Sequence, residues 1–249
     1  MNDLSLPPLA VPAASAVLQR DLDALLIHIG ERFERPALAS SLSVEDMVLT
    51  HAIAEAGAKI AVFVIDTGRL HAETLALLDT ARRRYDIELA VYRPEPAAVD
   101  AYVAAHGPDG FFDSVSLRLE CCRIRKVEPL ERALAGRTAW LTGQRRAHGP
   151  DRAQLPLREH DEARGIAKFN PLALWSDAQV WDFARAHGVP TNPLHQRGYP
   201  SIGCEPCTRA IRPGEPMRAG RWWWEDGAHK ECGLHLHAPA ARVVEIRSA

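Results

Sequence analysis

The sequence predicts an α/β fold, a doubly wound parallel sheet followed by an irregular C-terminal segment. Short apolar runs at about residues 37–41, 59–65, 87–92 and 138–142 alternate with stretches of helical periodicity, the pattern of right-handed βαβ crossovers. After Val189 the composition turns to proline, glycine, arginine and cysteine, with a Trp222-Trp223-Trp224 run, and the alternation stops. At 249 residues, 47% hydrophobic and 25% charged, the chain can bury one core with a modest appendage. The expected organisation is a loose leader over 1–15, an α/β nucleotide-binding domain over 16–190 and a cysteine- and arginine-rich segment over 191–249.

Each element has its own signal. Val17, Leu18, Leu22, Leu25, Leu26 and Ile29 recur at helical spacing, and Gly30 is the expected stop. Ala37-Leu38-Ala39-Ser40-Ser41 reads as a strand entering a small-residue turn. A helix from Val44 to Ala56 follows, with Ser43 at its N-cap, Asp46 three residues on and Gly57 at its end. Lys59 to Ile65 is a buried strand that breaks at Asp66-Thr67-Gly68, ahead of a helix over about 71–85. A strand over 87–92, helices near 96–106 and over 123–134, and a strand over 138–142 complete the alternation. Residues 147–170 are polar and predict a mobile loop. Ser176 and Gln179 form a capping box for a helix that Gly188 ends. Ligands of such sheets sit at the C-terminal strand ends, so the loops at 40–43, 66–69 and 143–146 are expected to share one site.

Bulk properties exclude whole classes of function. The net charge of −2 lacks the basic excess that supplies phosphate affinity, so no nucleic-acid partner is expected. The sequence shows neither a signal-peptide pattern nor a stretch of roughly 18 apolar residues, which predicts a cytoplasmic chain with no membrane partner. Five cysteines in that compartment point to metal or redox chemistry rather than to a disulfide framework. Self-association is left open.

Cys121-Cys122 and Cys204-x-x-Cys207 are the most specific features. The second pair lies in a Gly/Pro-rich turn that can aim both sulfurs at one centre, of zinc or of iron and sulfide. Adjacent cysteines point apart and share one tetrahedral zinc with difficulty, whereas a cluster offers separate irons, so the tandem pair favours a cluster over zinc. Arg123, Arg125 and Lys126 follow in the next turn and would offset the charge of four thiolates, with Lys126 the expected cation between cluster and an anionic substrate. The fifth cysteine, Cys232, stands beside Lys230 and near His235, with Gly233 leaving room for approach. Cations lower a thiol pKa, so Cys232 is a candidate nucleophile.

From about residue 38 to 235 the chain resembles the assimilatory adenylyl-sulfate (APS) reductases of the phosphoadenylyl-sulfate (PAPS) reductase family. The resemblance rests on Cys-Cys-x-x-Arg-Lys at 121–126, Gly-Tyr-Pro-Ser-Ile-Gly-Cys-x-Pro-Cys-Thr-Arg at 198–209, Arg-x-Gly-Arg-Trp-Trp-Trp-Glu at 218–225 and Lys-Glu-Cys-Gly-Leu-His at 230–235. It implies a fold like that of adenine-nucleotide α-hydrolases, with a [4Fe-4S] cluster on Cys121, Cys122, Cys204 and Cys207. It also implies that Cys232 carries the sulfonate as S-sulfocysteine. Ser40, Ser41 and Ser43 match the phosphate loop, where a helix N-terminus favours an anion. Asp66, Thr67, Gly68 and Arg69 match a second family motif, and Trp140-x-x-Gly143-x-Arg145 a third. Two departures stand out: His148-Gly149 replaces a Gln-Ser found in many relatives, and Arg118 stands where some carry histidine.

The chemistry so implied has Cys232 attack the sulfur of APS while Lys126, Arg218, Arg221 and Arg145 neutralise the oxygens that gain charge. Arg152 is a further expected sulfate or phosphate contact. A thioredoxin-type dithiol protein then frees sulfite by thiol exchange. The Trp222–Trp224 run is expected to pack as a hinge. Two rival activities on a related fold fit these residues less well. A PAPS reductase of strict preference usually lacks the two cysteine pairs. An ATP-activating thiolation enzyme with a zinc site would show a Ser-Gly-Gly-x-Asp-Ser type loop, where this chain has Ser-Leu-Ser-Val-Glu-Asp at 41–46.

Overall fold

The computed structural model describes residues 13–225, the first three by their backbone alone. Helix α1 (Ala13–Arg32) leads into strand β1 (Pro36–Ser40), helix α2 (Val44–Glu55), β2 (Ala61–Ile65), α3 (Ala72–Arg84), β3 (Leu89–Tyr92) and α4 (Pro96–His106). Then follow α5 (Val115–Cys122), α6 (Glu128–Leu134), β4 (Ala139–Leu141), β5 (Arg158–Asp161), β6 (Ile166–Phe169) and α7 (Asp177–Ala186). The six strands order as β3-β2-β1-β4-β6-β5, all parallel except the β5 edge, which pairs antiparallel with β6. The mixed α/β fold predicted from the alternation is the one observed.

Period-two alternation divides the core. Leu38, Val62, Val64 and Leu141 face one side, against α1, α2, α3 and α7; Ala37, Phe63 and Trp140 face the other, against Leu130, Ala133 and Leu134 of α6. Helix α2 is buried from Val44 to Ile53, all but its last two residues, as befits a helix enclosed between the sheet and α1 and α7. The strand order reverses direction between β1 and β4, and the crevice at their C-terminal ends is the switch point where α/β sheets bind ligands.

Three expectations are corrected. Helix α1 runs past Gly30 to Arg32. Gly30 is a close-approach residue: a Cβ there would lie 2.8 Å from the Lys59 backbone nitrogen. The polar stretch 147–170, expected as a loop, contains the β5–β6 hairpin. Asn170 anchors it by accepting from Thr142 Oγ1 (2.6 Å) and donating to the Pro156 carbonyl (3.0 Å). The helix expected over 123–134 begins at Val115, and a single π-helical turn over Arg123–Val127 joins α5 to α6. Among the described residues no helix is long and apolar enough to cross a membrane. The tail that carries Lys230, Cys232 and His235 lies outside the described residues.

Candidate active site

A cavity of about 210 Å³ opens at the C-terminal ends of β1 and β4. The loop after β1 forms one wall. Ser41 donates from its backbone nitrogen (2.7 Å) and hydroxyl (2.6 Å) to Asp46 Oδ2, and Ser43 Oγ approaches the same oxygen at 3.3 Å. Asp46 thereby ties the loop to the first turn of α2. Its carboxyl is pushed up by burial, against the serine hydrogen bonds that would lower it. Its other oxygen, Oδ1, is buried without a hydrogen-bond partner. Leu42 within the loop is held at φ 61°, a left-handed conformation rare for a branched residue and of the sort that clusters at functional sites.

The facing wall is the loop after β4. Gly143 is obligatory there, because a Cβ would stand 2.8 Å from Glu45 Cβ and press on Asp46 Oδ1. Gln144 is buried with neither amide atom paired. Arg145, expected at the substrate, does not line the cavity. Its guanidinium is committed to Glu45 (2.7 Å), to Asp177 and to the Trp175 carbonyl (3.0 Å). Burial would raise the Glu45 carboxyl, but His148 and Arg145 outweigh it and hold it at about 2. His148 Nδ1 lies 3.3 Å from the Arg145 backbone N–H and from Arg152 Nη1, both donors. That leaves Nε2–H to donate to Glu45 at 3.0 Å.

Of the remaining expected contacts, Ser40, Thr67, Lys126, Arg152, Arg218 and Arg221 line the cavity with Ser41, Ser43 and Gly143. Asp66, Gly68 and Arg69 do not. Asp66 accepts from Gly68 N–H (3.0 Å) and from Arg93 (2.9 Å), closing the turn in which Gly68 sits at φ 70°. Arg69 pairs with Asp109 at 2.6 Å. Glu45, Asp46, Gln144, His148 and Trp222 line the cavity too, though sequence reasoning did not single them out as contacts. The adjacent acids at the start of α2 were the available signal for the first two.

The four paired cysteines meet beside this cavity. Cys122, Cys204 and Cys207 are buried in one cluster with Phe111 and Trp222, and Cys121 packs against it. All four line a second, smaller cavity together with Arg69, Arg118, Arg125 and Lys126. Lys126 borders both cavities. The loop after β2 joins them as well: Thr67 Oγ1 lies 3.3 Å from Cys204 Sγ, Arg125 donates to the Thr67 carbonyl (2.8 Å), and Glu205 N–H donates to the Arg69 carbonyl (2.8 Å). Burial would raise the Cys204 thiol, yet Lys126, Thr67 and Arg221 draw it below its ordinary value. Cys207 is pushed up to about 12 by burial and by the neighbouring Cys204. A pocket of four thiols ringed by cations suits a thiolate-bound group of net negative charge. Among the described residues no three His, Cys, Asp or Glu side chains are grouped to hold a single ion.

The Trp222 turn closes the site. Trp222 N–H donates to the Cys207 carbonyl (3.1 Å), and the guanidiniums of Arg118 and Arg221 each lie 4.8 Å from its ring. Arg221 rests on Gly203, where a Cβ would meet its guanidinium at 2.5 Å. Its Nε, like the Trp222 indole nitrogen, is buried without a partner. Unpaired donors on a cavity wall are poised for a ligand's oxygens.

Comparison with known proteins places this geometry. Residues 35–210 match the phosphoadenosine phosphosulfate reductase domain family. The adenosine 5'-phosphosulfate reductase of Burkholderia cepacia is 60% identical over 225 residues, 90% of each chain. That of Allochromatium vinosum is 53% identical over 218 residues, 88% of this chain and 85% of its own. Among solved structures, a phosphoadenylyl-sulfate reductase from Candida auris in complex with phosphate superposes with a TM-score of 0.64 at 26% identity, covering 82% of this chain and 98% of that one. A Candida glabrata FMN adenylyltransferase, 15% identical, shares the fold with a TM-score of 0.56 over 95% of this chain and 82% of its own.

Proposed function

The chain belongs to the phosphoadenosine phosphosulfate reductase family, and from that premise we propose that it reduces adenosine 5'-phosphosulfate to sulfite and AMP. The observation that carries the proposal is the shared wall. Lys126 borders both the strand-end cavity and the pocket of four cysteines, so an anion bound in the first lies against the cations of the second. The nucleotide phosphate is assigned to the Ser40–Ser43 loop at the start of α2. The sulfate end is assigned to Lys126, Arg218 and Arg221, with Arg152 across the cavity.

Cys121, Cys122, Cys204 and Cys207 would hold a [4Fe-4S] cluster, which would supply charge and rigidity beside the substrate. The covalent step belongs to Cys232. Its thiolate bonds to the sulfonate sulfur while the bond from that sulfur to the phosphate oxygen breaks, and AMP leaves with the electron pair. A dithiol protein of the thioredoxin kind then attacks Cys232 Sγ, and sulfite leaves with the pair of the broken S–S bond. The donor's second thiol resolves the mixed disulfide, so the dithiol is oxidised by two electrons and Cys232 returns as a thiol. The cations stabilise the charge that develops on the leaving phosphate and on the sulfonate.

The test is chemical analysis with paired kinetics on anaerobically purified protein. The expected result is iron and acid-labile sulfide near four of each per chain, the stoichiometry of a [4Fe-4S] centre, with kcat/KM for APS far above that for PAPS. Stoichiometric zinc without sulfide would overturn the cluster, and equal kcat/KM for the two nucleotides would overturn the substrate assignment.

A further inference from the structure

Arg118 and Glu225 pair just outside the lining of the strand-end cavity. Arg118, on α5, is 1% exposed and grips Glu225 with both arms of its guanidinium, Nε to Oε1 at 2.8 Å and Nη2 to Oε2 at 2.9 Å. The Glu225 carboxylate is itself buried, at 7%. Arg118 also lines the cysteine pocket with Cys122 and lies over the Trp222 ring. One guanidinium therefore joins the wall of the cysteine pocket, the Trp222 indole and the Glu225 carboxylate. A bidentate arginine–carboxylate pair fixes orientation as well as distance.

What the pair holds is a strained turn. Trp222 stands at φ 43°, a conformation that persists only where its surroundings over-determine it. Glu225 N–H donates to the Trp222 carbonyl at 3.0 Å, so the carboxylate held by Arg118 and the turn that presents the indole are one unit. That unit lies seven positions ahead of Cys232.

We propose that Arg118 and Glu225 are a positioning pair that holds the Trp222 turn on the cysteine pocket. The pair acts through the seating of Trp222, which packs in the cysteine cluster and lines the strand-end cavity. The inference rests on the assignment of Cys232 as sulfonate carrier, and the readouts separate the two.

Glu225→Gln removes the charge at constant shape; Arg118→Met removes the guanidinium at similar length. Each variant is compared with wild type by amide hydrogen exchange of the 222–225 peptide, by AMP affinity and by the single-turnover rate of Cys232 sulfonation in APS without dithiol. The expected result is at least tenfold faster exchange at 222–225 and at least tenfold slower sulfonation, with a smaller loss of AMP affinity, since the nucleotide phosphate is assigned to the Ser40–Ser43 loop. The double variant is expected to be no worse than either single one, as for two residues acting through one contact. Unchanged exchange in Glu225→Gln, additive losses in the double variant, or sulfonation at the wild-type rate would each overturn the proposal. If Arg118→Met does not fold, Glu225→Gln with a Glu225→Asp partial rescue decides it. If wild type forms no adduct on Cys232, the carrier assignment fails, and this proposal fails with it; exchange at 222–225 then reports only whether the pair is a structural lock.

Discussion

At the scale of single residues, chemistry concentrates where the fold leaves polar atoms buried and unsatisfied. Asp46 Oδ1, both Gln144 amide atoms, Arg221 Nε and Trp222 Nε1 all belong to residues that line the strand-end cavity, and each would cost stability if no ligand met it. Cys232 is the residue assigned the covalent step, and it alone of the five cysteines lies outside the two pairs. Cys232→Ser is expected to retain the proposed cluster and AMP binding while losing sulfite production by at least ~10³-fold, because a hydroxyl is a far weaker nucleophile at neutral pH. Mass spectrometry after mixing with APS should find one sulfonate on wild type and none on the variant. An adduct on another cysteine would refute the assignment. Cys121, Cys122, Cys204 and Cys207 were legible because their spacing survives as text. Arg145 was not, since nothing local says that Glu45 and Asp177 lie across from it.

At the scale of elements, the runs over 59–65 and 87–92 foretold β2 and β3 to within two residues, because continuous apolar stretches between turns have few other uses. The Ser176–Gln179 capping box appears as read, with Ser176 Oγ accepting from Gln179 N–H at 3.2 Å and Gln179 Oε1 accepting from Ser176 N–H at 2.8 Å. Two features stayed hidden. The π-helical turn over 123–127 leaves no periodicity to detect. The β5–β6 hairpin presents Arg-Glu-His-Asp along a sheet edge, where polarity hides a strand. The β4 loop offers a test of how closely elements meet at the site. Gly143→Ala must displace Asp46 and the first turn of α2, loosening the serine loop that Asp46 ties down. AMP affinity is expected to fall roughly tenfold, about 1.4 kcal/mol, with the far-ultraviolet dichroism of wild type retained; unchanged affinity would show that the two loops can part without consequence.

At the scale of the whole molecule, the site end of the sheet is balanced by a second polar cluster in the helical layer, and this one governs stability against acid. His51 of α2 is buried among the rings of Tyr85, Phe183 and His187, and its titratable neighbours are Glu55, His187 and Arg84. Burial dominates and lowers its pKa from 6.5 to about 4. The fold thus favours the neutral ring, while the unfolded chain takes up a proton near the ordinary value. Stability from this residue is complete above about pH 6.5 and drains away as pH falls towards 4, by an amount on the order of 3 kcal/mol. His71 and His195 are shifted the same way by burial and steepen the slope. Glu45, held at about 2, extends the loss below pH 4.5, opposed by Asp46, whose raised carboxyl favours the fold in acid. Thermal unfolding of wild type and His51→Phe at pH 7.5, 6.0 and 5.0 isolates the first term, because protonation of cysteines and of the other histidines is common to both. The gap in Tm between the two proteins should move in favour of the phenylalanine variant with each step down in pH. A gap that stays constant over that range would mean that His51 titrates alike in the folded and unfolded chain.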